Sequence, residues 1–177
     1  MLDVIITRSD DTPGRWVKQA FDSVQAAIKA APFPVTLIKV PGVPGHIGEA
    51  YMRGIAAATS EYLCWVDDDD FVLPQCFCSL GAVLSQSPQA VFTRQIDLHP
   101  NGWLSPRDSR SHLEILNRQW ALTLDLTPFH TTPTQAIGAK ADKGVDLMEW
   151  NYIHRLRRDK DPILHNTYFA NEKPLWA

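Results

Sequence analysis

No stretch of the chain approaches the ~18 continuous apolar residues of a membrane helix, so no helical membrane span is expected. The opening Met1-Leu2-Asp3-Val4-Ile5-Ile6 lacks the basic region and the long apolar stretch of a signal peptide. Cysteine is scarce. Cys64, Cys76 and Cys78 are the only 3 in 177 residues, an odd count without zinc-like spacing. That argues against a disulfide framework, and reduced thiols in a cytoplasmic protein are the expectation. Basic excess is also missing: 17 Lys and Arg against 20 Asp and Glu leave a formal net charge of -3. Bulk electrostatics therefore do not announce a nucleic-acid binder. What the chain does have is 45% hydrophobic residues, 13 prolines and 6 tryptophans. This is a globular composition of single-domain size, and so much proline favours short elements over a helical bundle.

Periodicity divides the chain. Leu2 to Thr7 is a β-branched run that reads as a buried strand. Thr12-Pro13 offers a cap residue and a proline for the first helical position. The helix expected next carries Trp16, Ala20, Phe21, Val24, Ala27, Ile28 and Ala31 on one stripe, and Pro32 and Pro34 end it. Val35 to Val40 reads as a second strand. A Pro- and Gly-containing loop then leads to a helix over about Ile47 to Thr59, whose small residues permit close approach to a sheet. Tyr62 to Val66 is apolar throughout, as in the middle of a parallel sheet, and runs directly into Asp67-Asp68-Asp69-Asp70. Pro74 is expected to open a third helix with Phe77, Leu80, Val83 and Leu84 inward. The order β-α-β-α-β-α predicts an α/β fold with a central, mainly parallel sheet flanked by helices.

The second half reads less regularly. Ala90 to Leu98 is expected as a strand, with Pro100-Asn101-Gly102-Trp103 turning into a partner strand. His112 to Leu124 and Val145 to Arg158 are expected as helices, Thr127 to Lys143 as a loop-rich stretch, and Ile163 to Phe169 as an edge strand.

Four consecutive carboxylates after a buried strand must be solvated or neutralised. Ligands in open α/β sheets sit at the carboxyl ends of the strands, and hard oxygen donors suit magnesium or manganese. The alternative is a solvated loop in which Asp70 caps the helix opened by Pro74.

The run Gly54-Ile55-Ala56-Ala57-Ala58-Thr59-Ser60-Glu61-Tyr62-Leu63-Cys64-Trp65-Val66-Asp67-Asp68-Asp69-Asp70-Phe71-Val72-Leu73-Pro74 resembles the nucleotide-sugar-binding core of family-two glycosyltransferases. In that family a helix ending in small residues leads into a strand, a DxD motif with a further acid, and a proline. Asp3-Val4-Ile5-Ile6-Thr7-Arg8 and Phe21-Asp22-Ser23-Val24 are similar to the family's opening strand and helix. The resemblance implies a short form of the GT-A fold over 1–177, with 1–88 as the nucleotide-sugar-binding half and 89–177 as the acceptor-side half. It implies transfer of a sugar from a nucleoside diphosphate-sugar to an acceptor hydroxyl, with inversion and with a divalent ion, Mn2+ or Mg2+. The acceptor could be a glycan, a lipid carrier or a modified DNA base. A metal-dependent nucleotidyl- or phosphoryltransferase and a non-catalytic nucleotide-sugar-binding module are the competing readings.

The resemblance also implies site residues. Asp69, Asp67 and His165 are the expected metal ligands. Thr7, Arg8, Asp10, Asp11, Arg53, Asp67 and Asp68 are the expected donor contacts. The family's acidic pair after the second strand is replaced here by Lys39-Val40-Pro41-Gly42. An inverting transfer needs a base for the acceptor proton. Asp146, at the start of the expected late helix, takes that role, with Glu149 in reserve. His130, Thr131 and Thr132 could line the acceptor pocket, and Trp103, Trp120 and Trp150 could stack on a sugar or base. Arg155, Arg157, Arg158 and Lys160 read as a solvated helix face or as phosphate contacts.

Overall fold

The computed structural model describes residues 1–128 and 141–157. Its elements run β1 (Leu2–Arg8), α1 (Gly14–Ala30), β2 (Val35–Pro41), α2 (Ile47–Ala57), β3 (Tyr62–Asp67), β4 (Phe71–Val72), α3 (Leu80–Leu84), β5 (Ala90–Leu98), β6 (Leu104–Asn117), α4 (Arg118–Ala121) and β7 (Gly144–Arg155). The described strands form one 7-stranded sheet in the order β2-β1-β3-β6-β5-β7-β4. β1 pairs in parallel with both β2 and β3, and β5 with β7. β6 runs antiparallel to β3 and β5, and β4 antiparallel to β7. Five of the 7 described strands therefore point one way, and the mainly parallel α/β expectation holds.

Alternation along the central strands builds a core on each face. Val4 and Ile6 of β1, and Tyr62, Cys64 and Val66 of β3, join Val24 and Ala27 of α1 on one face. Ile5, Leu63 and Trp65 join Tyr51 and Ile55 of α2 on the other. A strand covered on both faces reads as a continuous apolar run, which is why Tyr62 to Val66 was legible. Buried Asp3 of β1 holds the connection between α2 and β3: its carboxylate accepts from Thr59 N at 2.7 Å, Ser60 N at 2.8 Å and Ser60 Oγ at 2.7 Å.

The second half departs from the sequence expectations at two elements. The His112–Leu124 helix is instead the end of β6 followed by the short α4. Ile115 and Leu116, adjacent in sequence, are buried in opposite cores, as the sheet's interior requires and one helix face does not. The Val145–Arg158 helix is instead the strand β7. Val145, Leu147 and Glu149 are half-buried while Asp146 and Met148 are exposed, a period of two. Trp150, Tyr152 and Ile153 suit a pleated surface. The helix expected from Pro74 starts only at Leu80, after a series of turns. Pro13 is the N-cap of α1 rather than its first helical residue. The expected strand Ile163–Phe169 lies outside the described residues.

All three cysteines are free, with Cys64 and Cys76 buried. Among the described residues no helix is long and apolar enough to cross a membrane.

Gly54 lets α2 lie against the sheet. A Cβ there would stand 2.9 Å from Trp65 Nε1 and 3.0 Å from Ile5 Cγ2. Trp65 has little freedom to yield, because its ring stacks on Tyr51 at 4.5 Å. Gly54→Ala is expected to destabilise the chain by about 1–3 kcal/mol through overpacking. Denaturant unfolding checks this, and an unchanged midpoint would contradict the packing.

Candidate functional site

The parallel strands β1, β2 and β3 end along one rim, where three loops meet. Two are held together at Gly42, whose N–H donates to Arg8 O at 2.6 Å. A Cβ at that position would meet the same oxygen at 2.6 Å, so the approach requires glycine. The third loop is the acidic run after β3, which folds as a turn with Asp70 N donating to Asp67 O at 3.1 Å.

Each carboxylate of the turn meets a different solution to its charge. Asp68 is buried and points at the loop after β1. Its Oδ2 accepts from Ser9 N at 2.7 Å, its Oδ1 accepts from Thr12 Oγ at 2.8 Å, and Arg8 Nη1 stands 3.8 Å away. Asp70 is fully buried and points at β7. Its Oδ2 meets the Tyr152 hydroxyl at 2.6 Å and His154 Nδ1 at 2.9 Å, and its Oδ1 accepts from Arg155 N at 2.7 Å. Asp69 pairs with Arg157, whose Nε lies 2.6 Å from Oδ2. Arg155 Nε donates to the Asp69 carbonyl at 2.9 Å. Among the described residues, Asp67 alone of the four has no cation in ion-pair contact. Its backbone N–H is 3.4 Å from the Tyr152 hydroxyl, and its carboxylate faces the Tyr51 hydroxyl.

Proton affinities follow this arrangement. Burial and then the neighbouring Asp70 and Asp69 push the Asp67 carboxyl up to about 8. Burial and Asp70 push Asp69 up to about 6, against the pull of Arg157. Burial also raises Asp68, in spite of the Ser9 and Thr12 hydrogen bonds. Burial alone would raise Asp70 too, but the His154 charge and the hydrogen bonds at its oxygens hold it below the usual range. Burial disfavours the His154 cation, yet Asp70 outweighs it and lifts the imidazole to about 9.

Among the described residues the turn thus leaves one of its four acids, Asp67, without a cation, and that acid holds a proton instead. Asp67 and Asp69, alternate residues with hard oxygen donors, suit a divalent cation. Among the described residues no cluster of three or more His, Cys, Asp or Glu could hold a metal. The protein would supply one or two carboxylates and leave the remaining positions to water and phosphate, as magnesium prefers.

The other expected residues fall in several places. Thr7 stands in register with Asp67, and its buried Oγ1 has no hydrogen-bond partner among the described residues. Asp10 is exposed, and Asp11 binds Ser9 Oγ and lies 3.9 Å from Arg157. Arg53 is exposed on α2, and Tyr51 rather than Arg53 faces the turn. Asp146 is not at a helix start. It is exposed on β7 and pairs with Phe92, whereas His154 pairs with Asp97. Five residues of β5 separate those positions, roughly 17 Å, so the structure does not bring Asp146 to the rim. Glu149 is held by Ser79 Oγ at 2.7 Å and Asn151 Nδ2 at 2.9 Å. Asp70 is bound by β7 instead of capping a helix. Arg155 and Arg157 point into the acidic turn instead of forming a solvated face. Trp103 is exposed, Trp120 packs on the α2-side core and Trp150 is half-buried. His130, Thr131, Thr132, Arg158, Lys160 and His165 lie outside the described residues.

The sequence alone does not single out Ser9, Thr12, Tyr51, Tyr152 and His154 as parts of the site. The spacing of Tyr152 and His154, two apart beside Trp150 and Ile153, was the available signal for a strand face. A groove of about 430 Å³ lined by Arg15, Lys18, Gln19, Asp22, Ser23 and Phe71 includes none of the four acids of the turn.

The family model for glycosyl transferase family 2 matches residues 18–143. No curated protein matches the sequence significantly. Among solved structures, S. aureus TarS 1-349 in complex with UDP-GlcNAc superposes with a TM-score of 0.63 at 12% identity, over 88% of this chain and 58% of that one. TarS 1-349 without that ligand gives 0.60 at 12% identity, over 87% and 60%. The 4-diphosphocytidyl-2C-methyl-D-erythritol synthase from Anaerococcus prevotii gives 0.52 at 11%, over 83% and 88%. These likenesses support the GT-A fold, and the chain spans about 60% of the TarS 1-349 length.

The proton affinities set a pH dependence. Asp67 and Asp69 hold protons in the folded chain where the unfolded chain has lost them, so their effect is a loss of stability as pH rises toward about 8 and about 6 respectively. His154, raised to about 9, contributes stability below its ordinary range that is lost as pH rises through that value. Asp70 contributes stability above its unfolded range and loses it only in acid. In metal-free buffer the melting temperature is expected to fall from about pH 5 to pH 9. Asp67→Asn should flatten much of that fall. A melting temperature that rises over this range would contradict the charge arrangement.

Proposed function

The chain belongs to glycosyl transferase family 2, and on that premise we propose that it moves a sugar from a nucleoside diphosphate-sugar to an acceptor hydroxyl, with a divalent ion at Asp67 and Asp69. The observation that carries this reading is the acidic turn at the carboxyl end of β3, in which Asp67 has no cation in ion-pair contact among the described residues. TarS has been solved with UDP and with UDP-GlcNAc, so a uridine diphosphate-sugar is the donor to test first. Competing readings, as a nucleotidyl- or phosphoryltransferase or as a non-catalytic module, draw no support from family membership.

Magnesium or manganese at this place would neutralise the diphosphate leaving group as the glycosidic bond breaks. The chain's own residues prepare the surroundings. Asp68 fixes the loop after β1 through Ser9 and Thr12. Tyr152, His154 and the Arg155 N–H turn Asp70 into the protein, which leaves Asp67 and Asp69 at the rim. Attack by the acceptor oxygen in a single displacement inverts the anomeric carbon. We assign the base to neither Asp146, which stands far along β7, nor Glu149, whose carboxylate is occupied by Ser79 and Asn151. A glycan, a lipid carrier and a modified DNA base remain the acceptor classes. A cytoplasmic location accords with the free thiols.

Calorimetric titration with UDP, with and without Mn2+, tests the reading. The wild-type chain is expected to bind UDP only with the ion present. Asp69→Asn should lose at least about tenfold in affinity, ~1.4 kcal/mol, while keeping a cooperative melt. Unchanged manganese dependence in that variant would overturn the assignment of Asp69.

A further inference from the structure

Arg157 lies two residues past the end of β7, and its side chain is only 6% exposed. Four groups from three segments surround it. Nε lies 2.6 Å from Asp69 Oδ2, Nη2 donates to Thr12 Oγ1 at 2.9 Å, Nη1 is 3.9 Å from Asp11 Oδ2, and the guanidinium stands over the Trp16 ring at 5.1 Å. Thr12 in turn donates to Asp68. An exposed ion pair has little hold on its geometry. This guanidinium is kept in place by contacts that do not depend on Asp69, so the cation is stationed beside that carboxylate.

We infer that Arg157 is the built-in counter-cation of Asp69: it holds the carboxylate while no divalent ion is present and yields it when an ion binds. The inference rests on the reading of Asp69 as a metal ligand. Guanidinium and metal compete for the same carboxylate, so Arg157 weakens metal binding to the nucleotide-free protein. Once displaced, the planar guanidinium stays beside the rim through Trp16 and Thr12. Its fork of N–H donors matches phosphate oxygens, so ion entry frees a donor set for the diphosphate. Metal and diphosphate binding then become positively coupled through one side chain, and the coupling is reciprocal. A purely structural tie between β7 and the loop after β1 would lack this consequence. Its removal would lower stability without tightening metal binding.

The test titrates the full chain with Mn2+ alone, without nucleotide, and follows free ion by electron paramagnetic resonance. Arg157→Gln is expected to bind Mn2+ about tenfold tighter than wild type, within the usual range of coupling between sites. Arg157→Lys, which keeps the charge, should stay close to wild type. Equal or weaker binding in Arg157→Gln overturns the inference, while measurable Mn2+ binding at the turn leaves the reading of Asp69 standing. Absence of Mn2+ binding in every form overturns both. A second measurement needs no variant. In a Mg2+ titration of the wild-type chain followed by NMR, the Arg157 Nε–H signal should shift and exchange faster with water as the ion saturates. A signal unmoved at saturation would equally overturn the inference.

Discussion

Adjacent carboxylates at the mouth of a buried strand cannot all stay ionised without cations, and much of the rim's construction answers that constraint. The turn after β3 sends its acids to different partners. Asp68 goes to the loop after β1, Asp70 to β7, and Asp69 to Arg157. Asp67 is left without a cation among the described residues and with an affinity for protons raised by burial and by the neighbouring acids. A group that holds a proton because it lacks a cation is suited to exchange that proton for one. Asp70 shows the opposite state. Burial costs it little because His154 supplies a charge and three donors reach its oxygens.

The fold makes this division possible through strand direction. Parallel β1, β2 and β3 deliver their carboxyl ends to one edge, and β7 brings its own end to the same place. In a strand, Tyr152 and His154 share a face and reach a single carboxylate together. Arg155 contributes through its backbone N–H, and its side chain turns to the Asp69 carbonyl and Trp16. A helix over the same residues would separate the Tyr152 and His154 side chains by two steps of about 100°. Strand geometry at β7 is thus a condition for the charge balance at β3.

The first half was legible because its local signals agreed. Continuous apolar runs marked the strands, Pro32 and Pro34 ended α1, and the small residues of α2 fitted its contact with Trp65 and Ile5. The acidic run was legible as chemistry for the same reason, since nothing about a buried strand explains the carboxylates that follow it. The second half carries two competing periods. Leu147, Met148, Ile153 and Leu156 look helical when only apolar residues are counted. The alternation of Val145, Leu147 and Glu149 against Asp146 and Met148 carries the strand signal. The helical period places Asp146 at a helix start and hides Tyr152 and His154, whose roles depend on the pairing of β7 with distant β5. The pairing of β6 between β3 and β5 was also out of reach, because sheet order is set by tertiary contacts and not by neighbouring residues.

The central claim is that the acidic turn receives a divalent ion together with a nucleoside diphosphate. Crystals grown with UDP and Mn2+, examined by anomalous diffraction at the manganese edge, test it most directly. The account predicts one strong anomalous peak within coordination distance of the Asp67 or Asp69 carboxylate and of the diphosphate oxygens. UDP bound at the rim with no anomalous peak at the turn, or a peak held by other residues, would contradict it.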